Sequence, residues 1–90
     1  MTNTDRNYDL AVEIINDALE IVDANIRAEE ALAAEKSPAA YRHEHNADGW
    51  RKVRREIAYA AEHHDAYDIY KRRGRFTREG LQKWAAPYQW

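Results

Sequence analysis

The sequence predicts an all-α protein in which two long helices form an antiparallel hairpin and a short C-terminal helix closes over it. Apolar residues recur at helical spacing through two long stretches, on either side of a segment that contains Pro38. Glycine and proline are scarce, with three and two residues in a chain of 90. A chain of this length corresponds to one helical domain, residues 1–90, and domains this small often gain stability by forming oligomers.

The first helix is predicted over residues 5–35. Its apolar residues form two adjacent edges that together cover about 200° of the helix circumference, at about 100° per residue. The edges consist of Tyr8, Ala11, Val12, Ile15, Ala18, Leu19, Val22 and Ile26, and of Leu10, Ile14, Ile21, Ala28 and Leu32. A helix that lies on one neighbour needs a stripe of only about 100°. We therefore expect a second neighbour, either the C-terminal segment or a second copy of the chain in a helical-bundle dimer.

A break or a short helix is predicted over residues 37–48, because Pro38 is typical of a helix end or of a first helical position. Asn46 or Asp48 is then expected to cap the second long helix, over residues 49–73. The predicted core face of this helix follows three- and four-residue spacing through Trp50, Val53, Ile57, Ala60, Ala61, His64 and Tyr67.

A short third helix is predicted over residues 78–85. Thr77 is the expected N-cap, and Phe76 and Leu81 occupy the positions of a hydrophobic staple on either side of it. This arrangement predicts that the short helix packs against the hairpin.

Two large aromatic residues, Tyr88 and Trp90, come after the short helix. Large aromatic side chains are costly to leave in water. We expect them to pack on the first helix or across an interface with another chain.

Charge is divided between the two halves of the chain. Residues 1–48 carry eleven acidic and four basic side chains, and residues 49–90 carry ten basic and five acidic ones, whereas the whole chain has a net charge of −2. An antiparallel hairpin would place the acidic half beside the basic half, so that each screens the other. We favour this interpretation of the charge division.

Several kinds of chemistry are not predicted. The chain has no cysteine, so it has no disulfide and no thiolate metal site. The histidines are not expected to bind metal, because the spacings of His43 with His45 and of His63 with His64 do not set a tetrahedral geometry. The carboxylates follow a polar helix face, and a catalytic carboxylate needs a cleft. We expect no enzyme activity, no catalytic residue and no cofactor, in a cytoplasmic protein without a membrane segment.

A ridge of aromatic character is predicted on the second helix, where Tyr59, His63, Ala66 and Tyr70 recur at helical spacing, roughly opposite its core face. The chain has six Tyr and three Trp, and such residues anchor protein interfaces. The alternative is that the first helix or the C-terminal tail covers the ridge.

The expected contacts with a partner protein lie on and beside this ridge. They are made by Tyr59, His63 and Tyr70, with Arg51 and Arg55 at the rim. A helix that continued back through Gly49 would add Tyr41 and His45 to the ridge.

A basic cluster offers an alternative function. Five of the eight residues in the run KRRGRFTR are basic: Lys71, Arg72, Arg73, Arg75 and Arg78. Such cations can neutralise nucleic-acid phosphates. The competing interpretation is a solvated face that is paired within the chain, for instance between Asp68 and Arg72 or between Lys52 and Glu56.

The sequence favours a small non-catalytic protein that binds another protein as an adaptor, inhibitor or regulator, with a homodimer as the expected assembly. Small accessory proteins of bacteriophages and mobile elements, including inhibitors of host defence complexes, are often of this size and composition. The alternative is a nucleic-acid-binding regulator that uses the basic C-terminal half.

Overall fold

The computed structural model describes residues 3–90, and the side-chain environments of residues 7–90. This part of the chain contains four α-helices and no strand. The helices are α1 (Asn3–Ala34), α2 (Ala40–His63), α3 (Ala66–Lys71) and α4 (Arg78–Ala85). Two 3-10 helices, Arg73–Phe76 and Ala86–Tyr88, precede and follow α4. The predicted all-α class is therefore confirmed.

The two long helices pack against each other in antiparallel directions. Two side-chain contacts show this direction. Glu29, near the end of α1, contacts His43, near the start of α2, and Asp23, earlier in α1, pairs with Arg54, later in α2. Lys36, in the connection, has a left-handed backbone with a φ of 54°. That conformation is typical of the residue that ends an α-helix. The result is an elongated molecule of 55 × 20 × 20 Å.

α1 has neighbours on two sides, as the width of its apolar stripe predicts. It packs along α2, and the C-terminal segment, mainly α3, covers its other edge. The second neighbour is thus supplied by the same chain. The buried core is shared by all four helices and the first 3-10 helix: Ala11, Ile15, Ala18, Val22, Trp50, Val53, Ile57, Ile69, Phe76, Leu81 and Ala85.

The start of α2 differs from the prediction, which placed a break or short helix over 37–48 and the next helix over 49–73. α2 begins at Ala40 and continues through Asn46 and Gly49 without interruption. Both residues are buried under the C-terminal tail. The side chain of Asn46 accepts the Trp90 backbone N–H (2.7 Å) instead of capping a helix.

The predicted helix over 49–73 is also interrupted at its other end. α2 ends at His63, and His64 adopts an extended backbone. Asp65 then caps α3, since its carboxylate accepts the backbone N–H of Asp68 (2.8 Å). Because a new helix starts after Asp65, the side chains of α3 do not continue the helical faces of α2.

The predicted core face of the second helix is consequently correct only in its first part. Trp50, Val53 and Ile57 are buried. The residues predicted to continue the face beyond Ala60 are exposed: Ala61, His64 and Tyr67. Ile69 of α3 is buried in their place, because the new helix presents a different face to α1.

α4 occupies the predicted range, Arg78–Ala85, and its start is built as expected. The hydroxyl of Thr77 accepts the backbone N–H of Gly80 (3.2 Å). The two staple residues, Phe76 and Leu81, are both buried. This local structure fixes α4 against the core.

The tail packs on α2, whereas the sequence suggested the first helix or an interface. Tyr88 lies against Gly49, where any side chain would overlap the Tyr88 backbone and Cβ. Trp90 reaches the first turns of α2 and stacks on His45. A glycine in the middle of α2 therefore permits the close approach of the tail.

We predict opposite outcomes for two glycines of the C-terminal segment. A Cβ at Gly80 would overlap the Gly74 carbonyl oxygen and the Arg75 backbone, whereas a Cβ at Gly74 would meet nothing within 4 Å. Gly80→Ala is expected to lower the free energy of unfolding by about 1–3 kcal/mol. Gly74→Ala is expected to leave it unchanged or raise it by up to about 1 kcal/mol. Thermal unfolding followed by circular dichroism measures both, and equal effects would contradict the tight packing at Gly80.

Candidate functional site: an aromatic face on α2 and the pocket beside it

Because α2 is continuous from Ala40, four ring-bearing residues share one side of it: Tyr41, His45, Tyr59 and His63. At about 100° per residue, they lie within about 40° of one another around the helix axis. The row is about 33 Å long, at about 1.5 Å per residue. Together with Trp90, which lies on it, these residues form what we call the aromatic face.

The rings of the aromatic face are held in place although they are exposed. Tyr59 and His63 are stacked with ring centroids 3.9 Å apart. Trp90 is stacked on His45 at 4.5 Å and meets Tyr41 edge-on at 5.4 Å. The exposed fractions are nevertheless 63% for Tyr41, 61% for Tyr59 and 58% for Trp90. The tail thus covers the predicted ridge only in part.

The tail is attached to α2 by polar contacts at its end. Arg42 donates from Nε and Nη2 to the main-chain oxygen of Trp90, at 3.2 and 3.0 Å. The side-chain amide of Gln89 donates to the carbonyl oxygen of Asn46 (3.1 Å). Together with the bond from the Trp90 N–H to Asn46, these contacts fix the Trp90 ring at one end of the aromatic face.

A pocket of about 260 Å³ lies beside the other end of the aromatic face, where α2, α3 and α4 meet. We call it the junction pocket. Its lining consists of Glu56, Tyr59, Ala60, His64, Asp68, Ile69, Arg72, Arg75, Phe76 and Trp84. Tyr59 belongs to both the pocket and the aromatic face, so the two features form one continuous surface.

Glu56 organises one wall of the junction pocket. Its Oε2 accepts the indole Nε1–H of Trp84 (2.6 Å), and its Oε1 accepts the hydroxyl of Tyr88 (3.1 Å). The guanidinium of Arg75 lies over the Trp84 ring, 4.4 Å from its centroid. The sequence did not indicate this role for Glu56, since its partners lie 28 and 32 residues away along the chain.

The residues predicted to bind a partner are only partly brought together. Tyr59 and His63 lie side by side, but Tyr70 belongs to α3, beyond the helix break, and packs beneath the guanidinium of Arg73 (4.6 Å). Ala66, the remaining residue of the predicted ridge, packs against the core. The ridge therefore extends from His63 towards the start of α2 and not into α3.

The two predicted rim arginines differ in their surroundings. Arg51 forms ion pairs with Glu30 (3.1 Å) and Asp48 (2.5 Å). Arg55 is exposed, one turn before Tyr59 on α2, and has no ion pair within residues 7–90. Arg55 is thus the better placed of the two for a contact with another molecule.

The ion pairs of residues 7–90 all involve α2, and none involves the basic cluster Lys71, Arg72, Arg73, Arg75 and Arg78. The two pairs expected from spacing, Asp68 with Arg72 and Lys52 with Glu56, are also not among them. Lys52 lies over the Tyr88 ring instead, at 4.4 Å. Direct ion pairing within residues 7–90 is therefore confined to the hairpin.

The five cations of the cluster do not share one surface. Arg72 and Arg75 line the junction pocket, and Arg73 lies over Tyr70. Arg78 lies on another side of the molecule, next to Asp17 and Glu20 of α1. Arg78 is thus separated from the two arginines of the junction pocket.

Neither a metal cluster nor a membrane span is found within residues 3–90. Histidine, aspartate and glutamate side chains do not come together there in a group of three that could hold a metal ion. None of the helices in the same range combines the length and the apolar composition needed to cross a membrane.

We predict that Glu56 stabilises the fold through the tail and α4. Glu56→Ala removes the acceptor for Trp84 and Tyr88, and is expected to lower the free energy of unfolding by about 1–3 kcal/mol. Glu62→Ala is the matched control, because Glu62 is exposed on the same helix, and it is expected to change stability by less than about 0.5 kcal/mol. Urea unfolding followed by tryptophan fluorescence measures both. Similar effects of the two substitutions would contradict the role of Glu56.

Comparisons of the chain with protein families, with curated proteins and with solved structures found no match. Its function is therefore inferred from the contacts, exposure and charges of its own residues.

Proposed function

We propose that the protein is non-catalytic and acts by binding another protein through the aromatic face of α2. One observation carries the proposal: three large rings, those of Tyr41, Tyr59 and Trp90, are more than half exposed on one side of the molecule, although each is held by a neighbouring ring. Exposed aromatic side chains gathered on one side of a small protein are typical of interaction sites.

The contacts that hold these rings in position favour binding. An interface loses less conformational entropy when its side chains are already fixed in the free protein. Tryptophan, tyrosine and arginine are the residues that most often dominate the binding energy of protein interfaces. The aromatic face combines all three, with Arg55 exposed at its edge.

A face about 33 Å long on a protein of 10.6 kDa suits a molecule that covers a surface of a larger partner. An adaptor, inhibitor or regulator works in this way. A small cytoplasmic protein of a bacteriophage or mobile element that blocks a host defence complex is the specific form that we propose to test first.

The homodimer stays a prediction. The width of the apolar stripe of α1 predicts it, but α3 of the same chain also packs against α1. What supports a dimer is a groove of about 210 Å³ at the start of α1, lined in part by the exposed side chains of Tyr8 and Val12.

Nucleic-acid binding by the basic cluster is the second candidate, and the lack of ion pairs for its five cations within residues 7–90 favours it. The placement of Arg78 beside Asp17 and Glu20 counts against it. We therefore rank it below protein binding.

The principal test uses the aromatic face itself. The double substitution Tyr41→Ala and Tyr59→Ala is expected to weaken partner binding at least about thirtyfold, because each ring is placed as an interface anchor. Tyr67→Ala is the matched control, since Tyr67 is 58% exposed on α3 and lies outside the aromatic face. The unaltered protein and the two variants are used as bait in extracts of the source organism or its host, and captured proteins are identified by mass spectrometry. A partner retained by the double variant, or lost equally with Tyr67→Ala, would contradict the proposal.

The nucleic-acid alternative predicts a gel shift at low salt whose affinity falls steeply as salt rises, because each neutralised phosphate releases a counterion. Arg72→Ala with Arg73→Ala should weaken that binding on duplex and single-stranded probes alike. Arg27→Ala, an exposed arginine of α1, should not change it. The absence of any shift at low salt would exclude this alternative.

A further inference from the structure

We propose that the junction pocket binds a carboxylate group, presented by an acidic segment of the partner protein, and that Arg75 and Arg72 hold it. This inference rests on the proposed function and specifies the chemistry of the partner. It is supported by the size of the pocket, the fixed position of Arg75 and the charges along the surface.

The pocket is large enough to admit a side chain and is smaller than most pockets for cofactors. Pockets for small molecules and cofactors start at about 300 Å³, and the junction pocket has about 260 Å³. Its walls include the rings of Tyr59, Phe76 and Trp84 and the side chain of Ile69. A side chain with an apolar stem and an anionic end fits such a lining.

Arg75 is fixed before any ligand arrives. The carboxylate of Glu56 holds the Trp84 indole through its Nε1–H (2.6 Å), and the indole face holds the Arg75 guanidinium at 4.4 Å. Stacking uses the face of a guanidinium and leaves its in-plane N–H groups free. Those groups match the two oxygens of a carboxylate.

The charges in the pocket leave room for an added anion. Glu56 already accepts two hydrogen bonds, from Trp84 and Tyr88. Asp68 is the second carboxylate of the lining, and two guanidinium groups, Arg72 and Arg75, oppose it. Neither arginine forms an ion pair within residues 7–90. His64, also in the lining, can donate a hydrogen bond from a ring N–H.

The side of α2 that carries the aromatic face bears two further cations, Lys52 and Arg55, and one exposed carboxylate, that of Asp48, which pairs with Arg51. The carboxylates of α1 that lie outside the hairpin contact, such as Asp17 and Glu20, are beside Arg78 on another side of the molecule. An acidic partner segment that crosses Tyr59 can therefore place one carboxylate in the junction pocket without meeting the acidic helix.

The test is a titration with small anions, followed by NMR signals of the Trp84 indole N–H and the Arg75 Nε–H. The probes are N-acetylglutamate, inorganic phosphate and a mononucleotide, each at constant ionic strength. We expect N-acetylglutamate to shift both signals saturably. Arg75→Lys keeps the charge but loses the planar fork, and should weaken this binding at least about tenfold. Arg78→Lys is the matched control, because Arg78 lies outside the pocket, and should leave it unchanged.

Three results would overturn the proposal: shifts that do not saturate, equal binding by the Arg75→Lys protein, or binding of phosphate or the mononucleotide at least about tenfold tighter than that of the carboxylate. The last would indicate a phosphorylated or nucleic-acid ligand. The titration needs no partner protein, so its outcome is independent of the capture experiment with Tyr41 and Tyr59. If the protein binds no carboxylate but still captures its partner, the role of the junction pocket is overturned and the proposed function stands.

Discussion

The contact of the C-terminal tail with α2 is the constraint on which the aromatic face and the junction pocket depend. Glu56 joins α2 to Trp84 and Tyr88, and Asn46 joins it to the end of the tail. Without these contacts Trp90 would not lie on His45, and Trp84 would not hold Arg75 at the junction pocket. A few polar side chains on one side of α2 thus order rings that lie 28 to 44 residues away in the sequence.

The sequence was sufficient to predict what depends on local periodicity. The class, the antiparallel pair of long helices, the start of the core face at Trp50 and the cap at Thr77 all result from spacing and capping chemistry within a few turns. The break at Asp65 differs from the prediction because apolar spacing continues across it, although Asp is a good capping residue.

The features that could not be predicted depend on contacts between distant parts of the chain. Asn46 and Gly49 look like a helix start, and only the position of the tail explains why they lie inside a helix. The sequence pattern predicts the aromatic ridge and the basic cluster as two alternative surfaces, yet Tyr59, Arg72 and Arg75 line one pocket. Their meeting results from the direction that α3 takes after the break, which local patterns do not specify.

The lack of a side chain at Gly49 has an evolutionary consequence. Since the tail crosses α2 at that position, a lineage in which residue 49 acquires a side chain must displace Tyr88 and reroute Gln89 and Trp90. Because the overlap involves the Tyr88 carbonyl oxygen and Cβ, a change of side chain at residue 88 alone would not relieve it. Retention of the glycine would mark the homologues whose tail still follows the same path across α2.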